Sequence, residues 1–376
     1  MPGSNRVRGF DESVIREMTR KAKENDAINL SQGYPEYPTH REIINRAKNA
    51  LDSGFNQYSV TWGLKTLRKK ISEKLHHFNG LNYDQEYEIT VTCGASEAIM
   101  STILGLVERD DEVLIFQPFY ENYVPAVSMA SGKPIFTTIG EELKIDREDI
   151  KRKVGENTKA IILNTPHNPS GKVFDKDELK FLRDLCIDED IILVTDEIYE
   201  RIIYEGEHIS PATLDGMKER TVTIGGFSKV YSITGWRVGY AAAPKPLMKP
   251  IRKVHDYTTV CAPTPFQKGT IKALELPSDY YEDMVSYYKS ARDIVYEALK
   301  ETKMVPQKPD GAYYMLADIG NYEMKDKKFA DHLVREKQVA VVPGSSFFDD
   351  GGEHLVRFCF SQEKKSLKEA MSRIRR

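Results

Sequence analysis

The chain has 376 residues, with 54 lysines and arginines against 57 aspartates and glutamates and a formal net charge of −3. That length suits about two domains with ample buried apolar surface. The mixed charge leaves no basic face for nucleic acid and no polybasic patch for a membrane, so small molecules are the expected partners.

The opening residues, MPGSNRVRGF, lack the apolar run of a signal peptide, and no later stretch is long and apolar enough to span a bilayer. Cys93, Cys186, Cys261 and Cys359 lie far apart with no Cys-x-x-Cys spacing, which argues against a structural zinc site and a disulfide framework. A cytoplasmic location is the resulting expectation. Asn29-Leu-Ser-Gln-Gly33-Tyr-Pro-Glu-Tyr37 reads as a Gly/Pro turn, and Tyr58 to Gly63 precedes a helix expected to start at Leu64. From about residue 88 to 243, short apolar runs alternate with longer amphipathic ones, the pattern of an α/β fold with a mostly parallel sheet. Strands are expected at Glu88–Thr92, Glu112–Phe116, Ala160–Asn164, Ile191–Thr195 and Thr221–Gly225, and helices at Ala95–Val107 and Asp175–Ile187. Open sheets of this kind gather ligands at the carboxyl ends of their strands. Ser278–Thr302 reads as one long polar helix rich in Tyr. Apolar runs at Ala312–Leu316, Val339–Val342 and His354–Phe360 follow, which suggests a smaller α+β domain beside the larger one.

The most informative run is Gly225-Gly-Phe-Ser-Lys229, followed by Val-Tyr-Ser-Ile-Thr-Gly-Trp-Arg237. Most lysines are solvated surface residues. At a strand's end among Gly, Phe, Ser and Tyr, however, Lys229 can be partly desolvated, which makes a neutral amine available to an aldehyde. Ser228 and Arg237 could then grip a phosphate, the arginine through a charge-assisted fork.

Ser-Lys followed by Thr-Gly-Trp-Arg resembles the cofactor-lysine signature of the class I/II aminotransferases, enzymes of the type I pyridoxal-phosphate fold. The resemblance implies a large domain with a seven-stranded, mostly parallel sheet sandwiched by helices, plus a smaller α+β domain. It also implies pyridoxal 5′-phosphate held as a Schiff base on Lys229. Asp196-Glu-Ile-Tyr199 closes an apolar strand. An acid there is more often a helix N-cap, but the cofactor needs a carboxylate beside its pyridine nitrogen, and the resemblance gives Asp196 that role. Tyr199 then meets the ring oxygen, shared with Asn168 of the Asn-Pro-x-Gly motif in Leu163-Asn-Thr-Pro-His-Asn168-Pro-Ser-Gly171. His167 falls in that motif's variable position and receives no catalytic role, although an imidazole there resembles the branch acting on kynurenine, glutamine and methionine.

Thr92-Cys-Gly94-Ala95-Ser96-Glu97 joins a strand to a helix, so backbone N–H groups there can face an anion; the resemblance makes Gly94, Ala95 and Ser96 the phosphate cup. It makes Tyr120 the residue stacked on the ring, places Gly33 near the substrate carboxylate, and gives Arg357 the fork contact to that carboxylate. Tyr58 resembles the tyrosine that reaches the neighbouring subunit's cofactor phosphate, which implies a homodimer with shared active sites. One departure is Gly226, which stands three before the lysine where many relatives carry a phosphate-binding Ser. The matches run from about Asn29 to Phe360, in the family's order. The implied organisation is an N-terminal arm and substrate loop at 1–40 counted with the small domain, a large cofactor domain at 41–278, and a small domain at 279–376.

The implied activity moves the amino group of an L-amino acid (aspartate, aromatic or a broad range) to a 2-oxo acid such as 2-oxoglutarate, with the freed Lys229 shuttling the proton. A carbon–sulfur β-lyase or a synthase on the same apparatus is the nearest rival, because fold and cofactor do not fix the reaction. Product analysis with and without an oxo-acid acceptor separates them. A regulatory cofactor-binding module is the rival from another class, disfavoured because no basic helix-turn-helix segment precedes the substrate loop.

Overall fold

The computed structural model describes residues 4–7, 10, 12–140 and 142–376; the remaining residues of the expected N-terminal arm, 1–3, 8, 9 and 11, lie outside the described residues. In chain order the strands are Ile28–Asn29 (β1), Ile89–Thr92 (β2), Glu112–Gln117 (β3), Lys133–Thr138 (β4), Thr158–Asn164 (β5), Ile192–Asp196 (β6), Thr221–Gly226 (β7) and Gly239–Ala242 (β8). After the long helix Ser278–Lys300 come Val305–Pro306 (β9), Tyr314–Asp318 (β10), Val339–Ala340 (β11), Val342–Pro343 (β12) and Leu355–Cys359 (β13).

The central sheet has seven strands in the order β2-β8-β7-β6-β5-β3-β4, all parallel except β8, which runs against both its neighbours. Alternation along β3 shows why helices cover both faces. Val113 and Ile115 pack into one apolar cluster with Ala98, Ile99 and Ile103, while Leu114 and Phe116 pack into another with Leu179 and Leu182. Strands buried on both sides read as continuous apolar runs, and β3, β5, β6 and β7 were legible for that reason. The helix Lys176–Asp188 starts at a full capping box, with Asp175 accepting from Asp177 and Glu178 and the Glu178 carboxylate accepting the Asp175 N–H.

Two strands of this sheet carry no such signal. β4 is an edge strand with Pro134 and mostly half-exposed residues, and β8 is four small or aromatic residues, Gly-Tyr-Ala-Ala. In the C-terminal part, the run Val339–Val342 is two strands rather than one. β11 pairs parallel with β1, and β12 joins a second sheet of order β12-β13-β10-β9. The run expected from Ala312 becomes strand only at Tyr314, because Ala312 has a left-handed φ of 55° and its N–H bonds to Ile202 O instead. The β1–β11 pairing ties the chain's N-terminal part to its C-terminal part. Among the described residues no helix is long and apolar enough to cross a membrane.

Candidate active site

The parallel strands end on one side of the sheet, and the chemistry-bearing side chains gather there around a cavity of 380 Å³. Ala95, Ser96, Tyr120, Asn168, Asp196, Tyr199, Ser228, Lys229, Arg237, Gly33 and Arg357 all line it. Each anticipated residue is therefore brought to one place except Gly94, which sits directly behind Arg237, and Tyr58, which is 81% exposed and outside the cavity.

Lys229 follows β7, and its Nζ donates 2.7 Å to Gly33 O in the N-terminal loop. Loss of water around it pulls its pKa down to about 8. Asp196 closes β6 with no helix after it, so the capping role does not apply. It is buried, and burial pushes its pKa up to about 6 against the opposing hydrogen bond from Tyr123. That hydroxyl lies 2.9 Å from Asp196 Oδ2, and Ile198 N–H donates to Oδ1 at 3.3 Å. Tyr123 was not anticipated: it starts the helix Tyr123–Met129 as one of 20 tyrosines, and nothing in its local sequence sets it apart.

Tyr199 shares a hydroxyl hydrogen bond of 2.9 Å with Tyr314, and burial holds its phenol well above the ordinary range. Tyr314, part of the cavity wall, was not anticipated either. Asn168 accepts from Arg357 Nη1 at 3.1 Å, and its N–H donates 2.7 Å to Asn164 Oδ1, which fixes the turn after β5. Arg357 lies in β13 and is fully buried. Its guanidinium carbon stands 4.4 Å from the Tyr314 ring centroid and 4.9 Å from that of Phe347, and its Nε has no partner among the described residues. His167 bonds to Ser170 Oγ at 2.7 Å, and burial pulls its pKa down to about 3, as expected of a neutral packing residue outside the cavity wall.

At the sheet's other side of the cavity, the helix Ala95–Leu106 begins at Gly94, which has φ 79° and offers no side chain to cap the helix's first N–H groups. A Cβ on Gly94 would run into the Arg237 guanidinium, and one on Gly239 would run into Ala95 N. Backbone, arginine and helix N-terminus are thus pressed together into a cradle that suits a phosphate. Ser96 Oγ accepts from Asn122 at 3.4 Å. Gly226 is close-packed against Ile198 Cδ1, so a serine there would need that side chain to shift.

The family model described as aminotransferase class I and II matches residues 25–374. The chain belongs to that family. It is 39% identical over 99% of its length to the probable aspartate aminotransferase of Methanocaldococcus jannaschii, covering 98% of that protein. Against aromatic-amino-acid aminotransferase 2 of Thermococcus litoralis it is 34% identical over 99% of this chain and 97% of that one. Its fold superposes on the structure of N-succinyldiaminopimelate aminotransferase from Mycobacterium tuberculosis with a TM-score of 0.97, at 32% identity, covering 100% of this chain and 99% of that one. As a class I and II aminotransferase it is a pyridoxal-phosphate enzyme that moves amino groups between amino acids and 2-oxo acids. The residues present suit that cofactor: the glycine-floored cradle could take its phosphate, the buried Asp196 carboxylate its pyridine nitrogen, and Lys229 its aldehyde.

Proposed function

We propose that this aminotransferase acts on a broad range of L-amino acids, acidic and aromatic, with Lys229 as its catalytic base and Arg357 as its α-carboxylate clamp. The observation that carries the reading is Arg357, a fully buried guanidinium that lines the same cavity as Lys229. The cavity lining supports the broad range, because Arg16, Glu121, Ile15 and Tyr34 are all part of it, mixing both charges with apolar surface. Relatives named for aspartate and for aromatic amino acids are similar to this chain to nearly the same degree.

Pyridoxal phosphate, when bound, supplies an aldehyde that condenses with amines and a ring that takes up the electron pair left as Cα loses its proton. The protein does the rest. Ionised Asp196 keeps a proton on the ring nitrogen, and Tyr199 and Asn168 offer hydrogen bonds to the ring oxygen. Tyr120 covers one ring face. The N–H groups of the Gly94–Ser96 cup, with Ser228 and Arg237, would hold its phosphate. Arg357 fixes the substrate's carboxylate, leaving the Cα proton facing Lys229. Lys229 would hold the aldehyde and, as a free amine, move the Cα proton; its lowered pKa leaves a larger share of it neutral, and so able to take that proton, than an ordinary lysine.

The same reading makes the enzyme a cytoplasmic homodimer in which Tyr58 completes the partner's phosphate site. Its 81% exposure supports this, since a tyrosine packed within its own subunit would be covered. It divides the chain into the arm 1–40, a large domain 41–278 and a small domain 279–376. The experiment is a half-reaction screen that follows the cofactor's absorbance as each amino acid is added without an acceptor. Aspartate, phenylalanine and tyrosine should each convert it; conversion by a single amino acid would defeat the broad assignment.

A further inference from the structure

Behind the cradle, away from the cavity, lies a histidine that the reaction does not use. His255, in the helix Lys245–Thr258, is fully buried, and both ring nitrogens face acceptors. Nε2 lies 2.8 Å from Thr61 O, which can only accept. Nδ1 lies 3.1 Å from each carboxylate oxygen of Glu97. Glu97 in turn accepts the Cys93 N–H at 3.0 Å and the Ser101 hydroxyl, so it already behaves as an anionic acceptor and cannot readily be the donor to Nδ1. A neutral ring could donate to Thr61 O and accept from the Thr259 hydroxyl, 3.1 Å from Nδ1, but its lone pair would then face the Glu97 carboxylate; an imidazolium donates to both Thr61 O and Glu97.

The two anchors, Glu97 and Thr61, belong to different parts of the site. Glu97 is in the first turn of the helix whose N-terminus forms the cup, and Cys93 enters that cup from β2. Thr61 belongs to the Tyr58–Gly63 segment, and Trp62 O accepts from Val91 N in β2 at 3.1 Å. We propose that His255, held as an imidazolium, is a positioning residue that pins the phosphate cup and the Tyr58 segment together, and that cofactor-phosphate affinity depends on it. The proposal rests on the cup assignment made above.

Electrostatics agrees with the geometry. Burial opposes charge on the ring, but the Glu97 hydrogen bond and charge outweigh it and raise the pKa above that of an ordinary histidine. The charged groups facing it are Glu97, from the cup helix, and Asp256, from its own helix. The other neighbours are the Thr61 carbonyl and the Thr259 hydroxyl, 3.1 Å from Nδ1.

Two measurements test this. Nitrogen-15 NMR of the histidines should show His255 doubly protonated at about pH 7.5, where an ordinary imidazole is mostly neutral, and Glu97→Gln should return it to the neutral form. A neutral His255 in the unaltered protein overturns the proposal. Equilibrium dialysis of pyridoxal phosphate and of pyridoxal, which lacks the phosphate, should then show His255→Gln weakening the first about tenfold or more while the second changes by less than about threefold. Equal weakening of both ligands, the mark of a merely structural residue, overturns it, as does an unchanged preference for the phosphorylated form. If the unaltered enzyme itself binds both equally, the cup assignment fails and takes the proposal with it.

Discussion

The Tyr123 hydroxyl donates a 2.9 Å hydrogen bond to Asp196 Oδ2, with both side chains shut off from water. Burial alone would favour a protonated, neutral carboxyl at Asp196, and the tyrosine is the protein's counterweight. The role proposed for Asp196, holding a proton on the ring nitrogen, needs the ionised form.

Tyr123→Phe removes that counterweight while keeping the ring. The Asp196 pKa, about 6 in the present structure, should rise further, so less carboxylate is present at neutral pH. The acid limb of the pH–rate profile should move up by about one unit, so turnover should fall only about twofold at pH 7 but about tenfold near pH 5, with the cofactor still bound. An acid limb that stays where it was would remove Tyr123 from the mechanism.

Lys229 carries a cost in the cofactor-free protein. Its folded pKa is lowered from 10.5 to about 8 by loss of water, so the folded state binds fewer protons than the unfolded one between these values and stability rises with pH there. Below the folded pKa the penalty is complete. Lys229→Met should therefore stabilise the cofactor-free protein near neutral pH, by up to on the order of 3 kcal/mol, and the gain should vanish as pH rises past the unfolded value. Thermal melts of both cofactor-free proteins across that range check it; a gain independent of pH would mean that packing, not charge burial, is responsible.

Much of this site was legible because its members stand at strand ends with recognisable neighbours. The strand before Asp196 and the strand before Lys229 are buried on both faces, so their apolar runs mark where the chain turns toward the ligand. Arg357 and Gly33 were reachable only through the family resemblance, since a lone arginine in a strand and a glycine in a turn carry no chemistry of their own. Tyr123 and Tyr314 stayed hidden because their roles depend on partners 73 and 115 residues away, Asp196 and Tyr199. Edge strand β4 and the short β8 were lost for a different reason: half-exposed or small side chains leave no periodic signal.

Arg357→Lys keeps a positive charge but loses the planar fork and the stacking against Tyr314 and Phe347. Because every amino acid presents the same α-carboxylate, kcat/KM should fall for all of them together, by about a hundredfold, while cofactor affinity is unchanged. Steady-state kinetics on one acidic and one aromatic substrate decide the matter. Loss confined to one of them would mark Arg357 as a side-chain contact instead.

Tyr58 is the remaining residue of the set, 81% exposed and outside its own chain's cavity. In the proposed dimer its hydroxyl completes the phosphate site of the other protomer, so each active site is built from two chains related by a two-fold axis. Mixing tests this directly. A Tyr58→Phe chain paired with a Lys229→Ala chain gives a hybrid in which one site carries both lesions and the other carries neither. Under the shared-site arrangement the hybrid therefore holds one fully normal site, with the cofactor affinity of the unaltered enzyme. If Tyr58 served its own chain instead, every site in the hybrid would keep one lesion. The cofactor affinity of the active sites would then match that of the Tyr58→Phe parent. Sedimentation of a fully active monomer would end the shared-site reading outright.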